Sequence, residues 1–431
     1  MRFQASAAFA KKMDLQDPLK KFRKQFHFPS HNGKKAIYFC GNSLGLQPRS
    51  VAKAVKQELK DWKNLAIGGY FGAKNPWLFY HENFKQTLSG MMGCRKEEVT
   101  VMNALTVNLH LLLMSFYRPT PKRYKIIMEA GAFPSDQYAA ETQVKWHGFA
   151  AADAIIEIAP RKGEKTLRTE DIVARIEENA ESLSLVLMGG INYYTGQLFD
   201  INAITMAAHR AGALAGFDLA HVAGNVPMQL HRWHADFAVW CSYKYLNAGP
   251  GAVSGVYIHA RHANDKNYGR LGGWWGNAEA TRFQMKKGFV PKPGVDGWQL
   301  STAQVFNMVA LKASLQLFEK AGMRAIRKKS ILLTAYLEFL LYTLKDIPFT
   351  IITPSDPAQR GAQLSLYFTK NGKAIHQALT SKGIVVDYRE PGVIRVAPAP
   401  LFNTFREVYR FYEIVKATAV KPEKKKKSST D

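Results

Sequence analysis

Cysteine is scarce. Cys40, Cys94 and Cys241 are the only three in 431 residues, and no two are close together. A disulfide framework and a Cys-x-x-Cys zinc or redox motif are thereby excluded, and a reducing, cytoplasmic setting is expected. Long apolar runs are also missing. The longest uncharged stretch, residues 99–117, carries Asn103, Asn108 and His110. Hydrocarbon would leave those groups unpartnered, so the stretch reads as a buried segment of a soluble protein and not as a membrane span. Residues 1–10 are too short, and too interrupted by Gln4 and Ser6, for a signal-peptide core. Acidic residues are few: 34 Asp+Glu against 59 Lys+Arg leave a formal charge of +25. Residues 421–431 contribute +3 of this (five Lys, one Glu, one Asp), and the remaining +22 is spread over the body. No helix-turn-helix or zinc-finger spacing accompanies it, so a solvated basic surface is expected and a nucleic-acid partner is not.

What is present is a globular composition, 47% hydrophobic and 22% charged, long enough for a large core without metal or disulfide staples. Short apolar runs at residues 124–128, 155–158, 185–188, 213–217, 237–241 and 253–258 read as strands, with another at 36–40. Between them lie amphipathic helical patterns. Ser50 is placed to cap one with Val51, Val55, Leu59 and Trp62 on one face. Residues 105–117 form an apolar helix, and another runs from Phe133-Pro134 to about 144. Thr169 is placed to cap a helix bearing Ile172, Val173 and Ile176, and Asn202 one that runs to Arg210. Residues 68–76 read as a Gly-rich loop, and Arg327-Lys328-Lys329 as the wet face of a long helix.

Apolar strands alternating with helices predict an α/β fold around a mostly parallel sheet, buried on both faces. Two long helices, 302–320 and 323–344, would link it to a small α+β domain with strands at 362–367 and 392–397. The expected division is an N-terminal segment (1–50) packing on the small domain, a large domain (51–320), a small domain (321–420) and a disordered basic tail (421–431). Ligands of such sheets lie beyond the carboxyl ends of the strands, which brings Phe133, Gly189, Asp218 and Lys244 near one another.

Asp218 ends one strand, with His221 three residues on. Tyr243-Lys244 follows the next. A carboxylate inside an apolar sheet is costly without a cationic partner, and a protonated pyridine nitrogen supplies one. A lysine beyond the adjacent strand can bind an aldehyde on the same ring as a Schiff base. Pyridoxal phosphate is the cofactor that needs both groups. Its phosphate would find free N–H groups and the Thr106 hydroxyl where the helix opens at Asn103-Ala104-Leu105-Thr106. Phe133 could lie flat on the ring.

The motifs that complete this picture are Y-F-C-G-N-S-L-G-L-Q-P from Tyr38, N-A-L-T-V-N-L-H from Asn103, F-P-S-D-Q-Y from Phe133, Y-Y-T-G-Q from Tyr193, G-F-D-L-A-H from Gly216 and W-C-S-Y-K-Y-L-N-A-G from Trp240. Through them the chain resembles the kynureninases, fold-type I pyridoxal-phosphate hydrolases, over nearly its whole length. The resemblance implies an aspartate-aminotransferase-like large domain, a small C-terminal domain and a homodimer with a shared active site. It implies hydrolysis of the Cβ–Cγ bond of L-kynurenine or its 3-hydroxy form, within tryptophan degradation and NAD biosynthesis. By the same resemblance Lys244 carries the cofactor, Asp218 faces the pyridine nitrogen with Asp136 beside it, and Phe133 stacks on the ring. Leu105, Thr106, Pro134, Ser135, Gly189, His221 and Tyr243 complete the cofactor site, with Tyr243 also a proton donor. Trp274 and Thr302 close it from the other subunit. Arg395 binds the substrate carboxylate, and Ser43, Tyr70 and Asn277 line the substrate pocket. No metal is implied. The family often has Ser where Gly189 stands, and some members have His at the position of Tyr70 and Asn at that of Thr302. A cysteine desulfurase, which shares the fold, would need a mobile reactive cysteine in a loop, whereas Cys241 lies in a strand pattern.

Overall fold

The structure, a computed structural model, describes residues 2–419; the basic tail expected at 421–431 lies outside the described residues. Seven strands form the central sheet: β1 (Val99–Met102), β2 (Lys125–Glu129), β3 (Ile155–Ile158), β4 (Leu183–Gly189), β5 (Leu214–Asp218), β6 (Phe237–Cys241) and β7 (Ser254–Ile258). Their order is β1-β7-β6-β5-β4-β2-β3. Only β7 runs antiparallel to its neighbours. The carboxyl ends of β1, β2, β4, β5 and β6 therefore open on one side.

The strands read as unbroken apolar runs because both faces are covered. Alternate side chains serve two different cores. Ile126, Met128, Leu185, Leu187, Phe237 and Val239 pack with Leu109, Leu112 and Leu113 of α2 (Leu105–Phe116) and with Ala139, Ala140 and Val144 of α3 (Pro134–Trp146). Ile127, Val186, Met188, Ala215, Phe217, Ala238 and Trp240 face the other way. They meet Ile172 and Ile176 of α4 (Thr169–Glu178), Ile201, Ile204 and Ala207 of α5 (Ile201–Arg210), and Leu311 and Leu315 of α6 (Val305–Ala321).

A separate core forms around a four-stranded antiparallel sheet, β8 (Phe349–Ile351), β9 (Leu364–Phe368), β10 (Asp387–Arg389) and β11 (Val393–Val396), in the order β8-β9-β11-β10. Leu364, Leu366, Ile394 and Val396 pack there with Leu333, Leu337 and Leu340 of α7 (Met323–Tyr342), with Ile375 and Leu379 of α8 (Gly372–Ser381) and with Val408 and Phe411 of α9 (Phe405–Ala419). The N-terminal helix Ala7–Gln16 adds Phe9 and Met13 to the same core.

Several local expectations are corrected. Ser50 and Thr169 are the first residues of α1 (Ser50–Leu65) and α4; Arg49 and Arg168 hold the cap positions and make no side-chain cap bond. Asp200, not Asn202, caps α5, its carboxylate accepting from the Ala203 N–H at 2.9 Å. Residues 68–76 are not all loop, since Gly69–Gly72 forms one helical turn. Lys329 is not on a wet face. It is 5% exposed, pairs with Asp17 at 2.8 Å and donates to the Pro400 carbonyl at 2.6 Å. The N-terminal segment supplies that counter-charge, and nothing near Lys329 in sequence signals it.

Candidate active site

The sheet's carboxyl edge carries one pocket lined by Leu105, Thr106, Glu129, Phe133, Ser135, Asp136, Gly189, Ile191, Tyr193, Asp218, Ala220, His221, Tyr243 and Lys244. Strand register brings these together: Gly189 pairs with Asp218 across β4–β5, and Asp218 with Val239 across β5–β6. Two helix N-termini converge from the side. α2 starts at Leu105 and α3 at Pro134, and the Thr106 and Ser135 hydroxyls meet at 2.7 Å. The first turn of α2 leaves its opening N–H groups without an intrahelical partner, whereas α3 offers fewer because Pro134 has no N–H and the Asp136 N–H donates to the Phe133 carbonyl at 2.9 Å; with the two hydroxyls this corner suits an anion.

Lys244 follows β6, and its Nζ stands 5.7 Å from the centroid of the Phe133 ring. Phe133 is 43% exposed, leaving a ring face open, and Tyr193 packs edge-on against it at 5.3 Å. The backbone around Lys244 is clasped by the N-terminal segment, where the Gly45 N–H donates to the Tyr243 carbonyl at 2.7 Å. A Cβ at Gly45 would collide with the Lys244 carbonyl and with Asn247, so only glycine permits this approach.

The pocket's charges are arranged around a buried acid pair. Burial raises Asp136 well above the usual carboxylate range, and the neighbouring Asp218 adds to the rise. Burial also raises Asp218, but the Lys244 charge and the Ala220 N–H, which donates to Asp218 Oδ1 at 2.7 Å, oppose it. Burial thus favours the protonated form at both acids, most strongly at Asp136, while Lys244 and the Ala220 N–H favour the charged form of Asp218. His221 is held neutral by burial, reinforced by the charges of Lys244, Arg395 and Arg389. Burial likewise pushes the Tyr243 phenol up, so it stays protonated. Asp136 Oδ1 and His221 Nδ1 are buried without a hydrogen-bond partner, so both retain bonding capacity for a polar ligand.

Arg395, on β11, approaches from the small core and is 2% exposed. Its Nη1 donates to the Tyr193 carbonyl at 2.7 Å, and its Nη2 donates to Ser43 Oγ at 3.2 Å and to Asp387. Ser43 in turn donates to Asp387 at 2.9 Å.

Comparison with known proteins decides the family. A kynureninase of Myxococcus xanthus is 52% identical over 97% of this chain and 98% of its own length. One of Nematostella vectensis is 45% identical over 96% of this chain and 94% of its own. The chain belongs to the kynureninase family. Residues 326–415 match the model of the kynureninase C-terminal domain. The fold is shared more widely: a cysteine desulfurase of Thermococcus onnurineus superposes with a TM-score of 0.74 at 18% identity, covering 93% of this chain and 98% of that one.

Not every residue expected for a kynureninase site lies in the pocket. Pro134, the first residue of α3, is not among the residues that line it, and neither are Ser43 and Arg395. Tyr70 is half-buried edge-on against Trp77 at 5.8 Å. Asn277 caps its own loop, accepting from the Val290 N–H at 2.9 Å. Trp274 packs edge-on with Trp275 and Phe283, and neither it nor Thr302 lines the pocket of its own chain. Conversely Glu129, Ile191, Tyr193 and Ala220 line the pocket and were not singled out for it by the sequence. Glu129 ends β2 as Asp218 ends β5, and that parallel was the available signal. A second acidic cluster, Glu98 with His231 and His259, is an internal network: Glu98 Oε1 accepts from His231 Nδ1 at 2.8 Å and from the Ala260 N–H at 2.7 Å.

Proposed function

We propose that the chain is a pyridoxal-phosphate-dependent kynureninase that hydrolyses the Cβ–Cγ bond of L-kynurenine or 3-hydroxy-L-kynurenine, releasing anthranilate or its 3-hydroxy form together with L-alanine. The observation that carries this reading is the set of groups in one pocket: Lys244 over the Phe133 ring, the Asp136–Asp218 acid pair and two helix N-termini. The orphaned Asp136 Oδ1 and His221 Nδ1 fit a polar heterocycle. When bound, pyridoxal phosphate supplies an electron sink and a carbonyl carbon for the substrate amine.

The chain's residues then divide the work. Thr106, Ser135 and the free N–H groups of α2 and α3 hold the phosphate. Phe133 offers its face to the ring, and charged Asp218 keeps a proton on the ring nitrogen. Lys244 Nζ would hold the cofactor's aldehyde carbon and, when free, would move the substrate's Cα proton. The Tyr243 hydroxyl carries a proton to Cβ after cleavage. Arg395 takes the substrate carboxylate in a fork that lysine cannot reproduce.

A homodimer in the cytoplasm fits the rest. Trp62 is 58% exposed and Ile67, Phe71, Trp274, Phe283, Met285 and Phe306 are also exposed on the single chain, an amount of apolar surface that a second copy would cover. Trp274 and Thr302 then complete the partner's site. Among the described residues no helix is long and apolar enough to cross a membrane.

Borohydride reduction of the holoenzyme followed by peptide mapping should place the pyridoxyl label on Lys244, and K244A should release no anthranilate from L-kynurenine. Labelling of a different lysine refutes the reading. Mixing inactive K244A with a W274A variant should restore part of the activity through hybrid dimers; no restoration would argue against a shared site.

A further inference from the structure

Kynurenine hydrolysis has a proton balance that the pocket must meet. Kynurenine and one water become anthranilic acid and alanine, and near neutral pH the new carboxyl group gives up its proton. One water therefore enters and one proton leaves in every turnover. Lys244 and Tyr243 shuttle protons among substrate atoms and return to their starting states. They do not export one.

Glu129 is positioned to do so. It ends β2 at the carboxyl edge of the sheet, is 4% exposed, and lines the pocket with Lys244 and Asp218. It also lines a second cavity, of about 240 Å³, whose wall includes Lys165, Asn192, Tyr194, Thr195 and Gln197. That cavity mixes apolar walls with these polar groups and has room for several waters. Glu129 and Tyr193 belong to both linings, so the carboxyl stands in the partition between them. Its recorded bonds are from a single group, the Gly189 N–H, at 3.1 and 3.3 Å to its two oxygens. Among the described residues no cation pairs with it.

Resting on the assigned reaction, we propose that Glu129 is the proton port of the active pocket: its carboxylate accepts the proton released on hydrolysis and hands it to water in the adjoining cavity. The bond formed is O–H on Glu129 as O–H on the product carboxyl breaks. The second transfer restores the carboxylate and leaves the proton on water. The groups facing Glu129 are consistent with a carboxyl that changes state near neutrality. Burial pushes it up to about 7, the Gly189 N–H opposes this and the Asp218 charge adds to it. Asp136 shares the same acid cluster, and Lys165 lines the second cavity with its Nζ 5.5 Å from the centroid of the Tyr367 ring. A Cβ at Gly189 would approach Glu129 Oε1 to 2.9 Å, so the glycine at this position leaves the carboxyl its place.

The test uses E129Q, which keeps the shape and an oxygen for the Gly189 N–H but cannot take a proton. Infrared spectra of the wild-type protein should show a protonated-carboxyl band that titrates near neutral pH and is absent from E129Q. With cofactor loaded, E129Q should bind it with an unchanged visible spectrum and keep its KM. Its kcat should fall roughly a hundredfold, the low side of what a positioned proton acceptor contributes. The acidic limb of the wild-type kcat profile should vanish, and formate added to E129A should restore part of the rate through the second cavity. Full kcat with an unchanged pH profile in E129Q overturns the proposal. So does loss of cofactor binding and KM together with kcat, which marks a structural role, and so does absence of the infrared band in an active wild type. A wild type that releases no anthranilate overturns the assigned reaction and the proton port with it.

Discussion

Arg395 sits behind Tyr193 of the active pocket and already holds a carboxylate. Its guanidinium is almost fully buried and bonded to Asp387, which Ser43 and Arg389 also contact, Arg389 at 3.1 Å. A substrate carboxylate arriving at Arg395 must displace Asp387 or sit beside it. D387N removes that competitor while keeping the side chain's size. A hydrogen bond to a charged group contributes about 1.5–3 kcal/mol, and each 1.4 kcal/mol is about tenfold in affinity. The predicted consequence has two parts with opposite signs. The substrate-free holoenzyme loses about 2 kcal/mol, because the guanidinium gives up a hydrogen bond to a charged acceptor. The KM for kynurenine falls by roughly ten- to a hundredfold, because the substrate now supplies the missing charge. Steady-state kinetics and thermal unfolding with and without a non-reactive amino acid measure both. A KM that is unchanged or raised in D387N refutes the idea that Asp387 stands in for the substrate carboxylate.

Gly45 gives a second prediction. G45A forces a Cβ against the Lys244 carbonyl and Asn247 and should cost about 1–3 kcal/mol, with kcat falling more than KM rises as the lysine loop shifts; unchanged kinetics would refute the clasp. Asp236 gives an acid-stability prediction. Burial alone would raise its carboxyl, but His209 at 2.9 Å, His262 at 2.6 Å and Arg261 hold it well below the usual range. A depressed carboxyl stabilises the fold above its unfolded value of about 3.9, and that contribution is lost as pH falls further. D236N should therefore cost about 3–5 kcal/mol at neutral pH and progressively less below about pH 3.9. Urea midpoints measure it, and an equal loss at both pH values would refute the ion network.

Legibility from sequence followed the range of the physics. The strands were readable because each is a short apolar run set off by helical periodicity, and β3 (Ile155–Ile158) and β6 (Phe237–Cys241) have the bounds read from the sequence. Helix caps were less readable. Ser50, Thr169 and Asn202 are all good cap types, yet each lies inside its helix, because the cap depends on backbone angles one or two residues earlier. Glu129 went unnoticed because an acid at the end of an apolar strand looks like the start of a loop. Asp218 differed only in having His221 and Tyr243-Lys244 in tow.

By itself the sequence determined the layered α/β plan. It also determined the strand-end placement of Phe133, Gly189, Asp218 and Lys244, since alternating apolar runs and helices allow little other than a sheet covered on both faces, and such a sheet gathers its strand ends on one side. Only the tertiary structure decided which distant charges meet. Lys329 finds Asp17, Arg395 finds Asp387, and Glu129 comes to stand between two cavities. Those pairings depend on through-space distance in a low-dielectric interior, and no local periodicity encodes it.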